Sequence, residues 1–182
     1  MLKKIIIFIS ILLFSFNVFG QNQPVSTPLN TEFAKDNNEL KINLAMSIGG
    51  LPEITYERFI ADNMGVGLSA AISLDNSLAT NAIILPYYRV YFGSKKAAGF
   101  FIEGNGAMVV EKQYSYNYDH YGYYSSSSTS SVAHFGLGAA LGVKFLTRNG
   151  LLGEIHLGLG RLFINNGDAV YPRIGLTLGK RF

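Results

Sequence analysis

From Leu40 onward, apolar residues alternate with small or polar ones at a period of two, and the alternation restarts eight times. A side chain that changes face at every residue is the mark of a β-strand with one apolar side. Leu40, Ile42, Leu44, Met46 and Ile48 set out the first strand, which a Gly49-Gly50-Leu51-Pro52 turn ends. Glu53 to Ile60 sets Ile54 and Tyr56 against Glu53, Thr55 and Glu57, and Val66 to Leu74 alternates with Gly65, Gly67, Ser69 and Ala71. Asp75 to Asn81 reads as a loop. The fourth strand, Ala82 to Phe92, contains Pro86, which cannot donate to a ladder and predicts a bulge. Phe100, Ile102, Gly104, Gly106 and Met108 mark the fifth, whose alternation runs on through Gln113 to Tyr118. His134 to Phe145 is the cleanest dyad. Asn149-Gly150 is a hairpin signature before the seventh strand, Leu151 to Gly160, and Ile164 to Ala169 is read as a loop leading to Val170 to Phe182.

An even number of strands brings both ends of the barrel region to one side. The connections there are short, at Ala61 to Asn63, Gly93 to Ala98 and Thr147 to Gly150, whereas those on the other side are longer except the first. Phe92, Phe100, Phe145 and Phe182 fall on the apolar parity at the short-turn end, as half of an aromatic girdle would. These features predict an all-β fold, an eight-stranded antiparallel up-and-down transmembrane β-barrel over 40–182.

Composition sharpens the picture. The 182 residues are 48% hydrophobic, yet no apolar run reaches the 18 or so residues of a membrane helix. Met1 to Lys4 is basic, Ile5 to Phe16 is apolar, and Gly20 precedes Gln21, so 1–20 reads as a secretory signal peptide and the polar stretch 21–39 as a flexible periplasmic lead-in. Without Lys3 and Lys4 the formal charge of +3 falls to near neutrality, which excludes a nucleic-acid footprint. The absence of cysteine removes disulfides, thiolate metal sites and a lipoprotein anchor.

On the signal segment, the strand count, the asymmetry of turns and loops and the terminal Phe182, the region from Leu40 to Phe182 resembles the small eight-stranded outer-membrane barrels of the OmpA and OmpX type. The resemblance implies the outer membrane of a Gram-negative bacterium, contact with outer-membrane lipid, and a barrel-assembly machinery for which Phe182 is the C-terminal signal. The rival fold is a soluble eight-stranded barrel of the lipocalin kind with its apolar parity turned inward. The polar parity argues against it, being richer in Gly, Ala, Ser and Thr than in surface Lys or Glu.

Counting from the short turns puts Glu57, Arg89, Glu103, Lys144 and Glu154 at one depth on the lumen parity. Each lone ion there would cost several kcal/mol of desolvation, so three carboxylates are expected to interleave with two cations, with Asn43 and Arg181 nearby. Lumen glycines (Gly65, Gly67, Gly136, Gly138, Gly142, Gly158 and Gly160) would make room for large side chains from other strands. Such a network predicts a polar plug. A narrow gated pore is the alternative.

His134 and His156 share the lumen parity and His120 lies in the outer loop, but no outward Ser stands near a His as a lipid-modifying enzyme would require. The chain is therefore read as non-enzymatic, without metal or cofactor. The outer connection Glu111 to Ser131 holds Tyr114, Tyr116, Tyr118, Tyr121, Tyr123 and Tyr124 beside a run of serines. Tyrosine offers large contact area at low entropic cost and serine adaptable hydrogen bonds, which suits recognition of an extracellular protein or glycan. The same tyrosines also fit the second aromatic girdle.

Overall fold

The fold is seen in a computed structural model that describes residues 36–75, 77–118, 124–164 and 167–182, without the side chains of 114–118, 124–127 and 167–168. The expected signal peptide and the lead-in up to residue 35 lie outside the described residues. Eight strands run up and down: β1 (Asn38–Asn43), β2 (Glu53–Ala61), β3 (Met64–Ile72), β4 (Thr80–Tyr91), β5 (Gly99–Tyr118), β6 (Tyr124–Leu146), β7 (Leu151–Ile164) and β8 (Gly167–Arg181). Each pairs antiparallel with its neighbour in sequence, and β1 pairs with β8 from Glu39↔Arg181 to Asn43↔Thr177, which closes the barrel. The closing seam is finished by Asn38 and Phe182, whose backbone groups exchange hydrogen bonds of 3.1 and 2.9 Å. Closure leaves no strand edge along the paired stretch.

The expected parity holds around the wall. Leu137, Leu157, Leu159 and Val170 are each about two-thirds exposed on the outside. The four phenylalanines at the short-turn end all face outward, and Phe92 and Phe100 lie 5.9 Å apart between ring centroids.

Several boundaries differ from the pattern. β1 stops at Asn43, and Leu44–Ile48 forms a one-turn helix, α1, instead of continuing the strand. Asn43 is its N-cap: the side-chain oxygen accepts the Met46 N–H at 3.3 Å, and Ser47 Oγ donates back to the Asn43 carbonyl at 2.7 Å. Leu-Ala-Met favours a helix once capped, and the wall offers this segment no second neighbour to hold it extended. Pro86 makes no bulge. The β3–β4 register runs unbroken through Leu68↔Pro86, and the irregularities lie between Phe59 and Ala61, Thr80 and Ala82, and Asn117 and Tyr118.

β6 begins at Tyr124 and β5 continues to Tyr118, so most of the outer connection from Glu111 to Ser131 is a hairpin, in line with the alternation through Tyr118. β4 follows β5 only to Glu111 and β7 follows β6 only to Phe135, so beyond those residues the two strands stand above the wall as a ribbon. The stretch read as a loop from Ile164 to Ala169 is strand except for 165–166, which lie outside the described residues. At the β3–β4 turn the Asp75 carboxylate accepts the Ser77 N–H at 2.8 Å, and that hydrogen bond holds its pKa below the ordinary value.

The β4–β5 connection at the short-turn end folds under the barrel. Ala97 and Ala98 are buried, Ala97 adopts φ 45°, its N–H reaches the Asp62 carbonyl at 2.7 Å, and Arg181 donates to the carbonyls of Lys96 and Ala97 at 2.9 Å each. A segment read as a plain turn thus stops the mouth of the lumen.

Candidate functional site

The interior is layered. At the Ala97 stopper lie Phe59, Tyr91 and Phe101 together with Arg181, then the other charged residues, then, towards the far end, an apolar layer of Leu85, Ala107, Val109, Leu162 and Tyr171. Alternation alone accounts for these inward positions, since every second residue of each strand must face the lumen.

The five charges expected to meet do meet, and the set is larger than expected. Five carboxylates (Glu39, Glu53, Glu57, Glu103 and Glu154) and five cations (Lys41, Arg89, Lys144, Arg173 and Arg181) are all at most 2% exposed. The correction to three against two has a simple cause. Glu39 belongs to β1 rather than to a lead-in, and Lys41, Glu53 and Arg173 share the lumen parity at neighbouring depths, joining Arg181, which was expected nearby.

The charges form a chain of alternating sign from one end of the polar zone to the other. Arg181 holds Glu39 at 2.6 Å, and Lys144 bridges Glu39 and Glu57 at 2.7 and 3.1 Å. Lys41 joins Glu57 to Glu154 at 2.5 and 3.1 Å. Arg89 spans Glu154 at 2.8 Å and Glu103 at 2.7 Å, and Arg173 carries the chain from Glu103, 3.0 Å away, to Glu53 at 2.7 Å. Glu39 and Glu57 face each other across β1 and β2, a like-charge pair that only a cation such as Lys144 makes tolerable. Asn43, expected beside the original five, instead donates to Glu53 at 3.3 Å.

Aromatic rings flank the cations. The Arg89 guanidinium lies 4.2 Å from the Phe101 centroid and 4.5 Å from that of Tyr87, Lys144 lies 4.4 Å from that of Tyr91, and Arg181 lies 4.6 Å from that of Phe59. Tyr91 also donates to Glu57 and accepts from Lys144. Sequence reasoning missed these rings, although Tyr87, Tyr91 and Phe101 carry the lumen parity that found the charges.

The lumen glycines are where the large side chains go. A Cβ at Gly67 would stand 2.2 Å from the Tyr87 ring, at Gly142 2.4 Å from Phe101, and at Gly160 2.0 Å from Tyr171. Gly65 receives the Glu57 carboxylate, and Gly138 lies against Tyr171 and Asn105. Gly136 and Gly158 differ, because what crowds them first is the backbone of β7 and β6. Gly175, not expected among these, accommodates the His156 ring.

Comparison with known proteins adds little to this geometry. No protein-family model matches the chain. No curated protein matches it. Among solved structures, the crystal structure of the N-terminal β-barrel domain of Pseudomonas aeruginosa OprF is similar at 16% identity and a TM-score of 0.49, covering 81% of this chain and 98% of that one. At that level the likeness supports no inference, and the barrel rests on its own strand order and closure.

Of the histidines, His156 is buried with Nδ1 3.2 Å from Glu154 and no hydrogen-bond partner at Nε2, while His134 is half-buried with Nε2 4.0 Å from Glu111. His120 lies outside the described residues. The buried Ser69 hydroxyl is 2.7 Å from Thr55 Oγ1 and accepts from Arg173, so its contacts are structural polar groups. Among the described residues no group of three or more His, Asp or Glu is placed to hold a metal ion.

Of the tyrosines expected to present an outer recognition surface, Tyr116 and Tyr118 belong to β5 and Tyr124 to β6, with Tyr118 paired to Tyr124 and Tyr116 to Ser127. Tyr121 and Tyr123 lie outside the described residues.

Proposed function

We propose that the chain is an outer-membrane β-barrel of a Gram-negative envelope with a sealed polar interior, and that it acts without catalysis, as part of the wall and as a support for the β5–β6 ribbon. The observation that carries this reading is the inversion of polarity. Leucine, isoleucine and phenylalanine cover the outside while ten charges are buried within. An apolar surface of that extent is far beyond what a soluble monomer exposes. Along β8 the outward residues from Val170 to Leu178 are apolar, with Lys180 beyond them, and this agrees with the ~9–11 residues that a tilted strand needs to cross hydrocarbon. No helix among the described residues is long and apolar enough to cross a membrane, which says nothing about a crossing by strands.

The sealed interior favours a structural role over a pore. The ten charges balance, each contacts a partner of opposite sign, and Ala97 and Ala98 stop one mouth. The ribbon above the wall, with its tyrosine- and serine-rich composition, is the element suited to an extracellular protein or glycan.

The test is refolding from urea into detergent micelles, with boiled and unboiled samples compared on a denaturing gel. A heat-dependent mobility shift with a strand-rich circular dichroism spectrum is expected, and folding in plain buffer without a shift would overturn the membrane reading. In a planar bilayer the refolded protein should be silent. Discrete conductance steps would replace the sealed barrel with the narrow pore.

A further inference from the structure

β8 is longer than the strand that closes on it. β1 covers β8 only from Arg181 to Thr177, whereas β8 runs back to Gly167, so its edge from Ile174 onward is not covered by β1. Even-numbered residues of β8 turn their backbone groups to this side, as the Phe182 N–H to the Asn38 carbonyl indicates. Two devices quiet the open edge. Asn43 Nδ2 donates to the Ile174 carbonyl at 3.0 Å, and two residues further Pro172 has no N–H to leave unpaired. α1 packs against β8 beyond the end of the β1 pairing.

A cavity of about 290 Å³ lies beside this uncovered edge, with Met46 of α1 among its walls. Its walls include the lumen-facing Leu85, Val109 and Leu162, and also Val170, Pro172 and Ile174, which belong to the outward parity of β8. Residues of both parities of β8 around one space place it along that strand's uncovered edge. We propose that the β1–β8 seam is a side opening through which a single hydrocarbon chain, of a membrane lipid or a free fatty acid, lies in the far end of the lumen.

Three observations select that occupant. At about 30 Å³ of liquid per molecule the space would hold about ten waters, but each needs two to four polar partners and the walls are largely apolar. The floor does not call for a charged head group, because Arg173 already donates to Glu103, Glu53 and Ser69 from Nε, Nη1 and Nη2. Finally, Ile174 is midway along the outward apolar stretch from Val170 to Leu178, so the mouth opens at the height where acyl chains surround the wall.

This inference rests on the membrane reading above, and the experiment separates the two. The chain is refolded in deuterated micelles, and nuclear Overhauser cross-peaks from protonated decanoate to protein methyls are recorded. Contacts to Leu85, Val109 and Leu162 are expected, with Leu152, a lumen residue near the other end, silent. The same contacts from protonated phospholipid in bicelles without decanoate would assign the chain to bilayer lipid, and contacts from decanoate alone to a free amphiphile. Cross-peaks confined to outward Leu157 and Leu159 would overturn the cavity proposal while leaving the membrane reading intact. With neither set present, both fall. Val109→Phe should reduce the Leu85 and Leu162 cross-peaks at least fivefold and leave the outward ones unchanged, and the wild-type spectrum decides the matter even if that variant does not fold.

Discussion

Replacing Arg89 by alanine removes the cation on which the middle of the charge chain depends. Its guanidinium is fully buried, contacts Glu103 through Nε and Nη2 at 2.7 Å each and Glu154 through Nη1 at 2.8 Å, and lies between the Tyr87 and Phe101 rings. The variant leaves five carboxylates facing four cations, all of them buried. Breaking a buried pair from one side costs about 3–5 kcal/mol, and the lost ring contacts add roughly 1–2 kcal/mol. With a urea dependence of about 2 kcal/mol per molar, the unfolding midpoint in micelles should fall by roughly 2–3.5 M.

The sharper expectation concerns rescue. Glu103→Gln in the Arg89→Ala background restores the balance of charge and still accepts from Arg173, so the double variant should recover about 1–2 kcal/mol relative to Arg89→Ala alone. Lys180→Ala, on the exposed outer parity, should stay within about 0.5 kcal/mol of wild type. A loss of under 1 kcal/mol for Arg89→Ala, or a double variant no more stable than the single one, would refute the view that these ions hold one another in place.

Two further substitutions test local packing. Gly175→Ala would bring a Cβ to 2.0 Å from His156 Cε1, so a loss of about 1–3 kcal/mol in the same urea assay is expected, largely recovered when His156→Ala removes the ring; failure of the second change to help would show that the strain lies elsewhere. Asn43→Ala removes the α1 cap and the bond to the Ile174 carbonyl and should cost about 1–2 kcal/mol, with exchange of seam amides rising in hydrogen–deuterium measurements while those of β5 and β6 stay protected.

The faces of the strands were legible residue by residue, because alternation is a property of one strand and needs no neighbour. That is why Leu137 and Leu157 fall outside as expected and Glu57, Arg89, Glu103, Lys144 and Glu154 inside. Glycine at lumen positions likewise announced large side chains on adjacent strands, as at Gly67 and Gly160.

Only the tertiary structure decided which of these residues touch. The meeting of Lys41 with Glu154, 113 positions away in sequence, depends on closure and on the stagger of several ladders together. The end of β1 at Asn43 was not visible, since Leu44, Met46 and Ile48 suit a helix turn and a strand equally and the choice is made by whether strands stand on both sides: β8 runs on past Asn43, but β2 begins at its partner Glu53. Nor was the folding of Ala97 under the barrel, which depends on the Asp62 carbonyl and the Arg181 side chain arriving at the same mouth. Periodicity assigns each side chain to a face from local geometry, whereas register, closure and the filling of the lumen are set by distant strands acting at once.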